Sequence, residues 1–449
     1  MGTDHQPKLD RKISILQATA INMTDMVGIG PFVVLSMVAE IMQGPWFLYA
    51  WIAGAILSFV DAMVWSQLVS TYPLAGGSYN FLKEGFGPKW GKLMSFLFVW
   101  QTMIQAPLVI ASAAIGFASY FRYILPLNDW QGKIMSGSIV ILIVVMLYRK
   151  IEAIGKISVM LWVGVLITMA WLIGGGIYHG NFLQPIIHMN DGLKLDYVFA
   201  TALGFASVKT IYSYLGYYNV CHLGGEIMHP QKNIPKSMFI SIVGIAVLYL
   251  MMNISVASVL PLDQIQKSKF VVSEFVAVLF GSTAANIATI LILWVAFASV
   301  FSATLGYSRI PFAAASDGAF FKIFAKLHPT KHFPYMSLLV LGSVAFVFSL
   351  LFKLHEVISA ILAMRILIQF IGQAIGLILL VKRKGKAHFA WKMPLYPLPA
   401  ILAILIWGLV FISTGFKMIM GGLIVTALGI VAFLIKSNRN EEWPFKKSV

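Results

Sequence analysis

The sequence predicts an all-α membrane protein of about twelve transmembrane helices, and three observations lead to that fold class. Hydrophobic residues make up 59% of the 449 residues and charged residues only 11%, which is too few to cover a water-soluble globule. Apolar runs of about 20 residues, the length that spans a bilayer, recur along the chain. Lys and Arg residues are concentrated in the short polar segments between these runs.

The apolar runs define twelve predicted spans with short loops between them. The spans cover residues 13–41, 46–70, 93–124, 134–148, 157–178, 197–224, 237–260, 283–308, 335–352, 356–381, 395–415 and 418–435. They form a first group of five over 13–178, a second group of five over 197–381 and a final pair over 395–435, flanked by tails at 1–12 and 436–449. Little of the chain is left for a soluble domain.

The distribution of positive charge predicts the orientation of the bundle. Of the 33 Lys and Arg residues, 24 lie in the two tails and in the loops on the same side, whereas seven lie in or beside the opposite loops. Positively charged loops face the cytoplasm, so we expect both termini to be cytoplasmic and the protein to lie in the cytoplasmic membrane. The net charge of +16 is explained in this way without nucleic acid as a partner.

Two of the predicted spans contain residues that favour an interruption of the helix. In the first span, Gly28 and Gly30 permit non-helical backbone angles, and Pro31 suits the first turn of a restarted helix. In the sixth span, a polar and tyrosine-rich segment over 212–219 surrounds Gly216. Unwound backbone at membrane depth is stable only where it is buried in protein or lines a polar cavity. We therefore expect the two interruptions to meet at a binding site.

The positions of the two interruptions also predict an internal repeat. They fall in the first span of each group of five, as they do in inverted repeats of five helices whose first members are broken. Spans one to five are therefore expected to superpose on spans six to ten after inversion. Close helix packing explains a lone glycine in a membrane helix equally well, but two interruptions at equivalent positions favour a site.

Four ionisable residues lie well inside the predicted spans, away from the span ends, and each has more than one interpretation. Asp25 either contacts the ligand or pairs with Lys209, which lies one turn before Tyr212. The pair would favour small neutral substrates, and a free acid would favour cationic ones. Arg365 in span ten either binds a substrate carboxylate or gates the outer vestibule, or it has a structural role as an ion pair or as a cap on the carbonyls of a broken helix. Asp61 in span two either takes up a coupling proton or has a fixed hydrogen-bonded role.

Motifs spread over nearly the whole chain resemble those of one transporter family. The matching segments are Gly28–Phe32, Gly44-Pro45, Tyr72–Tyr79, Gly216–Pro235, Arg309 with Ala315–Gly318, and His328-Pro329 with Phe333-Pro334. In order and spacing they resemble the amino acid–polyamine–organocation transporters. That resemblance implies the LeuT-like fold, with an inverted 5+5 repeat, discontinuous helices one and six, and two further C-terminal helices.

The resemblance also implies a substrate site at the two interruptions. The carboxylate of an α-amino acid would accept backbone N–H groups near Ile29 and Gly30, and its ammonium group would meet carbonyls at the helix ends. Tyr212 resembles the aromatic gate of the family. The other residues expected at the site are Asp25, Gly28, Ser213, Tyr214, Gly216, Tyr217 and Gln105, the last of which serves equally well in interhelical hydrogen bonding. Pro31 departs from the family pattern, because proline lacks the N–H usually present there.

The predicted function is secondary active transport of amino acids, with polyamines or cationic amino acids as alternative substrates. Many proton-coupled or exchanging relatives place a lysine deep in helix five, and this chain has none there. The coupling ion is therefore open between H⁺ and Na⁺, and symport and exchange are both compatible with the sequence. Membrane lipid and the small-molecule substrate are the expected partners, and the sequence leaves the oligomeric state open.

Other classes of protein are disfavoured by what the sequence lacks. A membrane-embedded enzyme needs a catalytic constellation of His, Asp, Glu or Ser, and none with suitable spacing occurs. A channel favours a repeated ring of pore-lining residues rather than two interrupted helices in one chain. Cys221 is the single cysteine, so we expect neither a disulfide nor a cysteine metal site, and no cofactor.

Overall fold

The structure is a computed structural model that describes residues 9–352, 361 and 364–445. Within these ranges the chain is helical and contains no strand, only two isolated β-bridges that pair Ile13 with Ile227 and Ala75 with Leu223. A helix satisfies its own backbone hydrogen bonds, which an apolar surrounding requires. The predicted all-α class is confirmed.

The first helices of the chain are long and joined by short connections. They are α1 (Ile15–Met26), α2 (Gly30–Met42), α3 (Leu48–Thr71), α4 (Ser78–Phe121), α5 (Asp129–Leu147) and α6 (Ile151–His179). The side chain of Ser14 accepts a hydrogen bond from the backbone N–H of Gln17, and Asn128 caps α5 in the same way. Such caps satisfy N–H groups that a helix start leaves free, and they fix where these two helices begin.

The remaining helices alternate between long membrane-type helices and short connecting ones. They are α7 (Gln184–Ile187), α8 (Tyr197–Tyr214), α9 (Asn219–His222), α10 (Pro230–Ala257), α11 (Leu262–Lys267), α12 (Val271–Tyr307), α13 (Arg309–Ser316), α14 (Tyr335–Leu351), α15 (Gly372–Lys384), α16 (Leu398–Ser413) and α17 (Phe416–Arg439). A π-helical stretch, Ile366–Ile371, leads into α15. Such stretches are frequent at functional sites, and Arg365 lies directly before this one.

Eight helical segments in the described ranges are long and apolar enough to cross a membrane. They are Pro45–Thr71, Ser78–Phe121, Asp129–Leu147, Ile151–His179, Pro230–Ala257, Val271–Ser316, Ile366–Lys384 and Phe416–Arg439. The pair of α1 and α2 meets the same conditions when taken as one bent span, and α14 and α16 are apolar but shorter. The chain is therefore a multi-pass membrane protein.

Two helices begin more than ten residues before the predicted spans. Span three is predicted from residue 93, but α4 begins at Ser78 and bends at Gly87, where φ is 78°. Span eight is predicted from residue 283, but α12 begins at Val271 and bends at Gly281, where φ is 82°. Glycine adopts these left-handed angles without strain, so each helix continues past a bend that divides it. Residues 356–360, 362 and 363 of predicted span ten lie outside the described residues.

The predicted interruptions in spans one and six are confirmed by the ends of the helices. The helix α1 ends at Met26 and α2 restarts at Gly30, with a bend of 44° between them. The helix α8 ends at Tyr214, and α9 restarts at Asn219. One hydroxyl serves both ends, because Tyr249 Oη lies 2.7 Å from the Met26 carbonyl and 3.0 Å from the Ser213 carbonyl.

Candidate functional site

A cavity lies where the two interruptions meet. Of the residues predicted for the site, it brings together Asp25, Gly28, Ile29, Gly30, Tyr212, Ser213, Gly216 and Arg365. The space open to the centres of water molecules is about 70 Å³, and one water needs roughly 10–15 Å³ on that measure. The cavity is therefore large enough for a small solute.

The backbone around the cavity supplies both signs of partial charge. The N-terminus of α2 begins at Gly30, and within the described part the N–H groups of Ile29 and Gly30 make no backbone hydrogen bond. The C-terminal ends of α1 and α8 approach from the other two directions. Helix N-termini attract anions and C-termini attract cations, so the interruptions can hold a group of each sign.

Arg365 places a full positive charge at the cavity. Its Nε donates to Gln369 Oε1 at 2.7 Å, and its Nη1 donates to Tyr307 Oη at 2.8 Å. The guanidinium carbon lies 5.0 Å from the ring centre of Tyr218 and 5.4 Å from that of Tyr307. Across the described residues, Nη2 has no hydrogen-bond acceptor. The guanidinium is thus held through Nε and Nη1, and its Nη2 can donate to a ligand.

Asp25 provides the opposite charge. Its side chain is half-buried, and its carboxylate accepts no hydrogen bond from the residues that the structure describes. It lines the same cavity as Arg365. The backbone carbonyl of Asp25 accepts a hydrogen bond of 3.2 Å from Ser299 Oγ, which holds the end of α1 against α12. Asp25 itself lines the cavity.

The expected pairing of Asp25 with Lys209 is not formed. Across the described part of the chain, Lys209 has no acidic side chain within 4.0 Å, and it does not line the cavity. It lies half-buried on α8, where Ser213 Oγ donates to its backbone carbonyl at 3.4 Å. The cation that faces Asp25 is Arg365, which comes from a distant part of the chain.

Three further residues predicted for the site lie outside the cavity lining. Tyr214 is fully buried, with its ring against those of Trp51 and Tyr249. Tyr217 donates a hydrogen bond of 2.5 Å to Asp61 Oδ2, away from the cavity. Gln105 lies behind the lining, where its side chain approaches the hydroxyl of Tyr307.

Asp61, predicted for coupling, also lies away from the cavity, in the middle of α3. Only 1% of its surface is exposed, and its carboxylate accepts hydrogen bonds from three different side chains. The structure thus separates the two carboxylates, with Asp25 at the cavity and Asp61 beyond the second interruption.

Several lining residues are missing from the sequence-based prediction. They include Ser112 on α4 and both Ser299 and Tyr307 on α12. The available signal was the presence of hydroxyl groups within apolar spans, which need hydrogen-bond partners. That signal does not distinguish a cavity from an interhelical contact, because Ser and Thr occur widely in both.

A buried ion pair holds the loops beneath the site. Arg309 on α13 donates from Nε and Nη2 to the two carboxylate oxygens of Glu226, each at 2.9 Å, and both side chains are at most 2% exposed. The backbone carbonyl of Glu226 accepts hydrogen bonds from Lys12 and Ile13. This pair therefore connects the start of the chain, the loop after α9 and the loop after α12.

Interrupted membrane helices around a small charged cavity are typical of membrane transport proteins. Among the described residues, no group of three or more His, Cys, Asp or Glu side chains could hold a metal ion. Backbone groups, hydroxyls, apolar side chains and one ionisable side chain of each type, Asp25 and Arg365, line the cavity.

Comparison with known proteins identifies the family. The chain belongs to the amino acid permease family, whose model matches residues 13–435. It is similar to several proteins of Bacillus subtilis (strain 168), and is 25% identical to the uncharacterized amino acid permease YecA over 78% of each chain. It is 24% identical to the serine/threonine exchanger SteT, over 88% of this chain and 89% of the relative. It is 22% identical to the branched-chain amino acid permease BcaP, over 98% of this chain and 96% of the relative.

Proposed function

We propose that this permease transports small zwitterionic α-amino acids by alternating access. The observation that carries the proposal is that Asp25 and Arg365 line one cavity at the meeting point of two helix interruptions. A zwitterionic α-amino acid carries one charge of each sign, on two groups that are bonded to the same carbon atom. A cavity with one fixed charge of each sign matches such a solute and leaves neither charge unpaired.

The bound amino acid would be oriented by both backbone and side chains. Its carboxylate would accept hydrogen bonds from N–H groups at the start of α2 and from Nη2 of Arg365. Its ammonium group would donate to the carboxylate of Asp25. Pro31 removes one N–H donor from the start of α2, and Nη2 of Arg365 would compensate for it. Charge-assisted hydrogen bonds of this kind are stronger than neutral ones.

The size and lining of the cavity favour a short, uncharged side chain. Val109, Ala113, Val300 and Ala303 supply apolar surface, and Ser112 supplies a hydroxyl. Two of the relatives are named for uncharged amino acids, since one is a serine/threonine exchanger and another a branched-chain amino acid permease. A dicationic amino acid or polyamine would place a second positive charge near Arg365, which disfavours the alternative substrates.

Several finer features of the fold belong to the same proposal. Twelve spans, a LeuT-like inverted repeat and cytoplasmic termini agree with the two interruptions and with the positively charged loops. Alternating access would then move α1, α2, α8 and α9 relative to the rest of the bundle. Membrane enzymes and channels are disfavoured, because the cavity has no catalytic constellation and encloses a single small space.

Counterflow in proteoliposomes tests the proposed function. The purified protein is reconstituted with each of a panel of unlabelled amino acids and polyamines inside, and entry of the labelled compound is followed. We expect saturable counterflow for small neutral amino acids, none in empty liposomes, and none for the Gly30→Val variant, whose methyl groups would fill the cavity. Counterflow of polyamines or lysine in preference to neutral amino acids would refute the substrate class.

A further inference from the structure

Asp61 occupies an unusual position for an acid in a membrane protein. It lies in the middle of α3, and three neutral donors from three elements converge on it. Trp65 Nε1 donates to Oδ2 at 2.8 Å, Trp407 Nε1 donates to Oδ1 at 3.0 Å, and Tyr217 Oη donates to Oδ2 at 2.5 Å. Within the described residues no Lys, Arg or His forms an ion pair with it.

The arrangement of donors corresponds to the ionised carboxylate. An ionised carboxylate only accepts hydrogen bonds, whereas a protonated one also carries an O–H that needs an acceptor. The indole N–H groups of Trp65 and Trp407 are donors only. Among the three partners, only the hydroxyl oxygen of Tyr217 can accept that proton. Protonation of Asp61 would therefore reverse or break its bond with Tyr217.

That bond belongs to the moving part of the proposed transporter. Tyr217 lies in the segment between α8 and α9, beside Gly216 and Tyr218, which line the cavity. Trp407 also stacks on Phe370 with 3.9 Å between ring centres. A change of charge on Asp61 would thus alter the hydrogen bonds that connect the second interruption to α3 and α16. The carboxylate lies outside the cavity and leaves room there for substrate.

The other ionisable groups close to Asp61 and Trp65 in the described structure come mainly from the segment after α8. The segment after α8 presents Tyr217 and the buried thiol of Cys221. Tyr218 and His222 contact the Trp65 ring, and Arg365 is held on the cavity side by Tyr307 and Gln369. From α10 and α16, the only side chain that bonds to Asp61 in the described structure is Trp407.

We propose that Asp61 is the proton-binding residue that couples amino acid movement to a proton gradient. The inference rests on the proposed function. A proton from one side of the membrane binds a carboxylate oxygen of Asp61 and neutralises it, and the Tyr217 bond is released. After the interruption rearranges, the same proton leaves to the other side, and the three donors hold the carboxylate again.

The test uses proteoliposomes and an amino acid that shows counterflow. For one proton per substrate, a gradient of one pH unit can sustain about a tenfold concentration ratio. We expect the wild-type protein to accumulate the amino acid up to about tenfold. Accumulation away from the acidic side would mean that proton and amino acid move together, and accumulation on the acidic side would mean that they exchange. Asp61→Asn should retain counterflow and lose all accumulation. Trp407→Phe removes a donor but keeps the carboxyl group, and should still accumulate substrate.

Three results would overturn the proton site. One is wild-type counterflow without any response to a pH gradient of either sign, and another is accumulation by Asp61→Asn equal to that of the wild type. Asp61→Asn could also lose counterflow itself. In that case a pH-sensitive dye is used to follow proton movement by the wild-type protein when substrate is added. The third contradicting result is the absence of such proton movement, which rejects Asp61 as a proton site. Absence of wild-type counterflow would instead reject the proposed function.

Discussion

Gly216 and Asp25 are in direct backbone contact, although 190 residues separate them along the chain. A Cβ atom at Gly216 would lie 2.9 Å from the carbonyl carbon of Asp25, and the backbone at Gly216 has a φ of 120°. Both the contact and the angle require glycine. The two helix interruptions are therefore fitted to each other, and the cavity exists because no side chain separates them.

Gly216→Ala should destabilise the protein and abolish transport. The unfavourable φ alone costs about 1–3 kcal/mol, and the added methyl group would push the two interruptions apart. Thermal unfolding in detergent and counterflow measure the two effects. Gly30→Ala is the matched control for folding, since its Cβ would lie 3.5 Å from Ser213 Oγ and from the Tyr212 ring, an ordinary contact. Equal unfolding temperatures for the two variants would contradict the fitted backbone contact.

Asp25→Asn should weaken binding of neutral amino acids strongly. Loss of a hydrogen bond to a charged group costs about 1.5–3 kcal/mol, which corresponds to a roughly 10- to 150-fold weaker affinity. Competition against a labelled substrate in counterflow measures the change. Because the ammonium group is common to all α-amino acids, neutral and cationic substrates should suffer alike.

Combining Asp25→Asn with a second substitution distinguishes the two cations. The free-energy changes caused by Lys209→Met and by Asp25→Asn should add to within about 0.5 kcal/mol in the double variant, because the two side chains do not interact. Arg365→Gln should instead show coupling of about 0.5–3 kcal/mol with Asp25→Asn. Strong coupling to Lys209 would mean that the expected ion pair forms during transport after all.

Glu226→Gln should lower the stability of the whole protein. Removal of one partner from a buried ion pair costs about 3–5 kcal/mol, because the remaining charge is left unpaired. Glu442→Gln is the control, since its pair with Lys92 is 38% and 48% exposed and such pairs contribute about 0–1 kcal/mol. Similar unfolding temperatures for both variants would show that the Arg309 pair does not hold the loops together.

The sequence was sufficient to locate both interruptions, because Gly28, Gly30, Pro31 and Gly216 act on the backbone locally. It was insufficient for the tyrosines around them. In a regular helix, the period of 3.6 residues indicates which side chains share a face, but that period does not apply to the unwound segment after Tyr214. The tyrosine at 218 therefore lines the cavity, whereas the one at 217 faces Asp61.

Pairings between distant residues were also beyond the sequence. Asp25 precedes the first interruption and Lys209 precedes the second, so the sequence favoured Lys209 as the partner, whereas the structure places Arg365 at the cavity with Asp25. The motifs contained both Glu226 and Arg309, but nothing in either segment indicated that the two form one ion pair. Such contacts depend on how the helices pack, which spacing along the chain does not specify.

Competition with analogues that lack one of the two charged groups tests most directly whether the cavity recognises both charges of an amino acid at once. Wild-type counterflow of the best small neutral amino acid is measured against three competitors: the same amino acid unlabelled, its decarboxylated amine, and its carboxylic acid without the amino group. Each analogue forfeits a charge-assisted contact worth about 1.5–3 kcal/mol, so each should compete at least about tenfold more weakly than the amino acid. Competition by either analogue at the same concentration as the amino acid would contradict recognition by Asp25 and Arg365 together.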